Sequence, residues 1–199
     1  HLVDGKMGSR VKGFVNFIDF GPTSLHLAGV GVPEQVDGKA FLGEGVSLKD
    51  VNARDESFGH ADRFDEKSDL IRSLRKGRFQ YIRNYQPHLP DGLNNNYRYK
   101  SLAYQKWREL FKAGKLEGAT RQFYEPKQVE HLYDCESDPH QVKNLASDPK
   151  FAKTLADLRQ RLHERVGDLP DLSFYPESHL VGHALDNAVE FGQKHKKEI

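Results

Sequence analysis

The sequence predicts an α+β chain, and three observations carry that expectation. Residues 70–85 alternate like the arms of a β-hairpin, residues 129–134 read as a further strand, and residues 150–166 set Phe151, Leu155, Leu158 and Leu162 at helical spacing. Of the 199 residues 37% are hydrophobic and 30% charged, below the apolar share of about 45–50% usual for soluble domains. With 11% aromatics the chain is nevertheless expected to fold. Lys and Arg number 30 against 29 Asp and Glu, so a net charge of +1 points to no nucleic acid or other charged partner. No run approaches the roughly 18 apolar residues of a membrane-spanning helix, and no secretory signal heads the chain. The one cysteine, Cys135, cannot form an internal disulfide. The chain opens on His1 and its one methionine is Met7, so it reads as an excised or processed segment.

Residues 1–13, rich in Gly and Lys without period, read as a loop. Phe14, Val15, Phe17, Ile18, Leu25, Leu27 and Ala28 form an apolar run closed by Gly29, a helix with a break or first turn at Pro22. Pro33 and Asp37-Gly38 then dictate turns. Residues 50–69 carry seven acids against three bases, whereas 70–85 carry five bases and no acid. The hairpin arms are 70–74 and 79–85 around a turn at Lys76-Gly77, with Phe79, Tyr81 and Tyr85 on one face. Residues 86–97 are a loop. A helix is expected over 101–113, with Leu102, Trp107, Leu110 and Phe111 near one stripe and Gly114 as its stop. After the strand come turns at Ser137-Asp138-Pro139 and Ser147-Asp148-Pro149, the latter starting the 150–166 helix that Gly167 and Pro170 end. The tail, 178–199, is expected to hold one more helix in LVGHALDNAVEFG.

Three groups of residues invite a chemical reading. Arg72, Arg75, Lys76, Arg78, Phe79, Tyr81, Arg83 and Tyr85 either offer RNA an aromatic sheet face or bury their aromatics and turn the arginines to water. RKGRFQYIR matches the RNA-recognition signature only in part, because Arg78 follows Gly77. His131, Asp134, Cys135, Asp138 and His140 are metal-ligand types, but one Cys and two His nine residues apart are few for zinc, and Asp138-Pro139 suits a turn. His60 to Glu66 (HADRFDE) puts acids, a base and a histidine on one loop, which either orients a polar substrate or is a solvated ion-pair loop. The sequence contains no phosphate-cradling glycine motif, HExxH or nucleophile elbow.

Several segments, in order over about residues 14–165, resemble the C-terminal part of a formylglycine-dependent sulfatase of the alkaline-phosphatase-like superfamily. FVNFIDFGPTSLHLAG (14–29) resembles the family's V-S-x-x-D-x-x-P-T-x-x-x-L-A-G helix, and GKAFL (38–42) the turn after it. DRFDE (62–66), IRS (71–73) and GRFQYIRNY (77–85) resemble the R-x-x-R-x-x-x-x-K-Y-I hairpin. Leu132-Tyr133-Asp134, Asp138-Pro139-His140 and Asn144-Leu145-Ala146 resemble E-L-Y-D-L-x-x-D-P-x-E-x-x-N-L-A. The loop and Trp107 helix resemble the heparan N-sulfatase-like branch.

The resemblance implies that residues 1–45 end the large α/β domain. Residues 46–170 would form a smaller subdomain, an antiparallel sheet of about four strands packed by the long helix, and 171–199 a tail. It implies hydrolysis of sulfate esters or N-sulfates of a carbohydrate by the parent protein, a neighbouring upstream catalytic domain, and a periplasmic or extracellular setting. The family's formylglycine arises in C/S-x-P/A-x-R, and its calcium sits on Asp and Asn residues. Neither occurs here: Cys135 precedes Glu-Ser-Asp-Pro, and Ser137-Asp138-Pro139-His140 ends in Gln141 where Arg is required. Catalytic and metal-binding residues are therefore expected upstream, and this segment alone is expected to be inactive. Because the family's C-terminal domain borders the substrate cleft, His60 and Asp62 are implied to contact sugar hydroxyls and Arg63 a sulfate or carboxylate. His88 and Asn94–Asn96 would stand at the rim. The competing reading is a non-catalytic carbohydrate- or partner-binding module.

Overall fold

In a computed structural model that describes residues 4, 5 and 8–198, the chain divides into two units. One takes residues up to 57 with 75–77, the other 58–74 with 78 onward. Of the expected N-terminal loop, residues 1–3, 6 and 7 lie outside the described residues, and 8–13 form neither helix nor strand.

In the first unit the apolar run becomes a 3-10 turn, Phe17–Asp19, leading into helix α1, Phe20–Leu27. Pro22 sits in the first turn of α1, where its missing N–H has no helical partner to lose. Asp19 accepts from Asn16 N at 2.9 Å and Lys39 N at 2.9 Å. Thr23 Oγ1 donates to Asp19 O at 2.6 Å and accepts from Phe41 N at 3.1 Å. Arg54 completes the splice by donating to Lys39 O and Ala40 O. The Asp and Thr of the helix motif thus act as a structural clasp for residues 39–41. Gly38 fits because a Cβ there would stand 2.0 Å from Ile18 O. A short helix α2, Leu48–Asn52, capped by Ser47, is too brief to show a period in sequence. Phe17 is 92% exposed, and Ile18, Phe20, Leu27 and Val30 are exposed as well.

Strands β1 (Glu56–Phe64), β2 (Lys67–Lys76), β3 (Phe79–Asn84) and β4 (Glu130–Asp134) form one sheet in the order β1-β2-β3-β4. The two-residue links Asp65-Glu66 and Gly77-Arg78 join antiparallel neighbours. Strands β3 and β4 pair antiparallel from Phe79 opposite Asp134 to Arg83 opposite Glu130. Residues 60–64, expected as a loop, are the end of β1: a strand at the sheet's edge tolerates the charges that hid it. The second turn falls one residue later than expected, since Gly77 takes the positive φ of 53°.

Between β3 and β4, residues 85–129 hold α3 (Leu102–Lys112) and α4 (Ala119–Gln122). Trp107 stacks on Phe123 at 4.4 Å and Phe111 on Tyr124 at 4.4 Å. Leu102 does not join that stripe and is 80% exposed, because five residues turn a helix about 140° away from Trp107.

Helix α5, Ala152–Asp168, follows a 3-10 turn, Pro149–Phe151, capped by Asp148. Its Leu155, Leu158, Leu162 and Val166 bury with Leu74 of β2, Tyr81 of β3 and Leu132 of β4, and Phe79 packs edge-on to Phe151. The hairpin aromatics Phe79 and Tyr81 therefore belong to this core. The helix runs through Gly167, and Leu169 turns extended ahead of Pro170, so the proline stops it. Leu158→Ala should lower stability by about 3 kcal/mol in urea unfolding, from lost burial plus the cavity left. The tail breaks into α6 (Glu177–His183) and α7 (Ala188–His195), because Asn187 caps the second, accepting from Glu190 N at 3.0 Å.

Candidate functional site

The implied substrate residues lie on β1 and in the connection between β3 and β4. His60 is exposed on β1 and stacks beside Phe58. Two residues on, on the same side of the strand, Asp62 accepts from Arg72 Nη1 at 2.5 Å. Arg63 donates Nε to Asp65 O at 2.7 Å and pairs through Nη1 with Glu177 of α6. His88 stands exposed in the 85–89 turn, and no hydrogen bond or ion pair among the described residues joins it to the other three. The structure thus puts His60 and Asp62 on one side of β1, ties Arg63 to Glu177 of the tail, and leaves His88 apart.

At the centre of this group is a residue the sequence placed on the wet face. Arg72 of β2 is 1% exposed. Its Nε and Nη2 meet Asp171 Oδ2 and Oδ1 at 2.6 and 2.8 Å, a bidentate fork, while its plane lies over Phe174 at 5.5 Å. Burial pushes the Asp171 carboxyl up, but hydrogen bonds from Arg72 outweigh it and hold the group below the ordinary carboxylate value, with His60 adding to that. An arginine can sink here because two carboxylates and a ring replace its water.

A second cluster gathers Lys67 and Asp69 of β2, Asp91 of the loop, Lys127 and His131 of β4. Asp69 Oδ2 accepts from Lys67 Nζ at 2.8 Å and Lys127 Nζ at 2.6 Å, all three side chains being buried. Half-exposed Asp91 sits 3.5 and 3.7 Å from the same two ammonium groups. Burial raises the Asp69 pKa, yet the lysine hydrogen bonds prevail and lower it overall. Burial also pushes His131 down toward its neutral form. A third pairing ties α5 to β4: Arg159 meets Glu130 in a fork at 2.7 and 2.8 Å, and Tyr81 donates to the same carboxylate.

The metal-ligand types near β4 serve separate ends. Asp134 takes Arg78 and the Glu136 N–H, and Asp138 accepts from Lys143 N at 2.8 Å. Among the described residues no three His, Cys, Asp or Glu side chains are arranged to hold a metal ion.

Sheet, covering helix and paired charges define an α+β unit whose ionic groups fasten its strands to loop and tail. No protein-family profile matches the chain. It is 37% identical over 170 residues to an ulvan-active sulfatase of Formosa agariphila, covering 84% of this chain and 28% of that protein. It is 33% identical over 95 residues to the N-sulphoglucosamine sulphohydrolase of Homo sapiens, covering 46% of this chain and 18% of that one. A solved 2-O GAG sulfatase aligns with a TM-score of 0.45 and 21% identity, over 74% of this chain and 24% of its own. The chain is homologous to a C-terminal portion of sulfatases, and it spans between about a quarter and a third of the first relative's length, 28%.

Proposed function

We propose that this chain is the C-terminal part of a sulfatase that hydrolyses sulfate esters or N-sulfates of a carbohydrate, and that it shapes the substrate cleft. The observation that carries this reading is the 37% identity to an ulvan-active sulfatase across 84% of the chain. In this reading residues 1–45 end the large α/β domain, 46–170 form the subdomain and 171–199 the tail. The exposed apolar side chains Phe17, Ile18, Phe20 and Leu27 are covered by the upstream catalytic domain. His60 faces the sugar from one side of β1, with Asp62 fixed by Arg72 on that same side, Arg63 reaches it round the strand's edge beside Glu177, and His88 stands further out. Arg63 Nη2 has no hydrogen bond among the described residues and suits a sulfate or carboxylate oxygen.

Calcium and formylglycine are assigned to the upstream part. The acids of this chain do not fit calcium: Asp62 and Asp171 hold Arg72, Asp69 holds two lysines, and Asp134 holds Arg78.

The coding frame immediately before His1 tests the reading. It is expected to encode C/S-x-P/A-x-R and paired metal-binding acids; a frame beginning near His1 would leave a non-catalytic binding module instead. The purified chain alone should release no sulfate from ulvan or heparin oligosaccharides, followed by ion chromatography. Release that scales with this protein would overturn the assignment of the chemistry upstream.

A further inference from the structure

Beside the implied substrate residues, the end of β1 and the 94–98 loop present two aromatic rings to water. Tyr97 is 67% exposed and Phe64 47% exposed. Their centroids are 6.1 Å apart and their planes cross at 78°, so they form a corner. Single exposed aromatics are common; this pair is bolted in place. Asn95, 0% exposed, donates Nδ2 to Phe64 O at 2.8 Å and accepts from Arg98 N at 2.7 Å through Oδ1. Glu66 Oε1 accepts from Asn96 N at 2.6 Å, fixing the loop to the β1–β2 turn a second time. Behind the corner, the Arg98 guanidinium lies 6.0 Å from the Phe64 ring and 5.2 Å from Phe123.

The polar rim matches a sugar. Asn94 Oδ1 accepts from Arg108 Nη1 at 2.9 Å. No hydrogen bond among the described residues uses Asn96 Nδ2, so this amide is available to a hydroxyl. Arg108, held by Asn94, brings positive charge to this rim, against the one carboxylate of Glu66 on Asn96 N.

We infer that Phe64 and Tyr97 form a stacking corner for one pyranose ring of a sulfated oligosaccharide, with Asn96 as a hydroxyl contact. A pyranose has one apolar C–H face and a polar rim, which is what an aromatic plane edged by amides accepts. The inference rests on the carbohydrate reading above and deepens it. It places a sugar-ring contact at a site distinct from the sulfate contact at Arg63.

The test uses the whole chain with ulvan- and heparin-derived tetrasaccharides, sulfated and chemically desulfated, in titration calorimetry. Tyr97→Ala and Phe64→Ala should each weaken binding of the preferred tetrasaccharide about tenfold, while Tyr97→Phe keeps it. The two alanine variants should weaken the sulfated and desulfated forms by the same factor, because the corner reads the ring. Arg63→Ala should weaken only the sulfated form. Both ring residues are exposed, so unfolding midpoints should match the parent's. Binding that survives both alanine variants overturns the corner and leaves the sulfatase reading intact. Binding by no tetrasaccharide also overturns the corner, and the upstream frame then decides the reading separately.

Discussion

Arg72→Ala should cost about 3–5 kcal/mol of stability at neutral pH, the range for removing one partner of a buried ion pair. Asp171, nearly buried, would keep only the Ser173 N–H and the more distant His60, whereas Asp62 can turn to solvent, so most of the loss lies with Asp171. The pH dependence separates this from lost packing. In the parent, Asp171 titrates below its ordinary value. Its contribution is therefore present above about pH 4 and lost as pH falls through the folded pKa. In the variant burial is opposed only by the Ser173 N–H and His60, so that pKa rises. The folded variant then binds its proton more tightly than the unfolded chain, and it regains stability as pH falls. The deficit read by urea unfolding should be largest at pH 7 and shrink toward pH 4.5. A deficit that stays constant over that range would mean that Arg72 contributes packing against Phe174 and not charge pairing.

What the sequence discloses and what it hides follow from the range of the interactions. Helix α5 and strand β3 are legible because their signal is periodic and local: Leu155, Leu158 and Leu162 recur at helical spacing, and Phe79 and Tyr81 at strand spacing. Strand β1 hides because its partners are charged and its own pattern is polar, so HADRF reads as a loop until Asp62 is seen against Arg72. Arginine seldom buries unpaired, so both readings of the 72–85 cluster leave Arg72 exposed. The carboxylate that admits it lies 99 residues further on, in a tail without a recognisable motif. Lys127 and Asp69 are 58 residues apart and equally silent. The residues of the stacking corner are half legible: the resemblance puts Asn94–Asn96 at the rim, but nothing local tells that Asn95 is buried and that Tyr97 comes to rest beside Phe64.

The second large effect is expected at the lysine pair. Asp69→Asn keeps the volume but removes the charge that both buried ammonium groups share. Asp91 remains, at 3.5 and 3.7 Å, half in water and too distant to replace it. A loss of about 3 kcal/mol at neutral pH is expected, since two like charges then face each other with one weak counter-ion. In the parent, against burial, the lysine hydrogen bonds hold Asp69 below the ordinary carboxylate value, so its contribution is present above about pH 4 and lost as pH falls through the folded pKa. The deficit of Asp69→Asn read by urea unfolding should therefore stay level from about pH 8 to 5 and shrink only in stronger acid, whereas that of Arg72→Ala already shrinks by about pH 4.5. Removing one of the crowded charges should also relieve the defect: Lys127→Met in the Asp69→Asn background should restore part of the loss, although Lys127→Met in the parent, which leaves Lys67 on Asp69, should not stabilise. Strict additivity of the two substitutions would show that the ammonium groups do not interact through Asp69, and the cluster would then be three independent contacts.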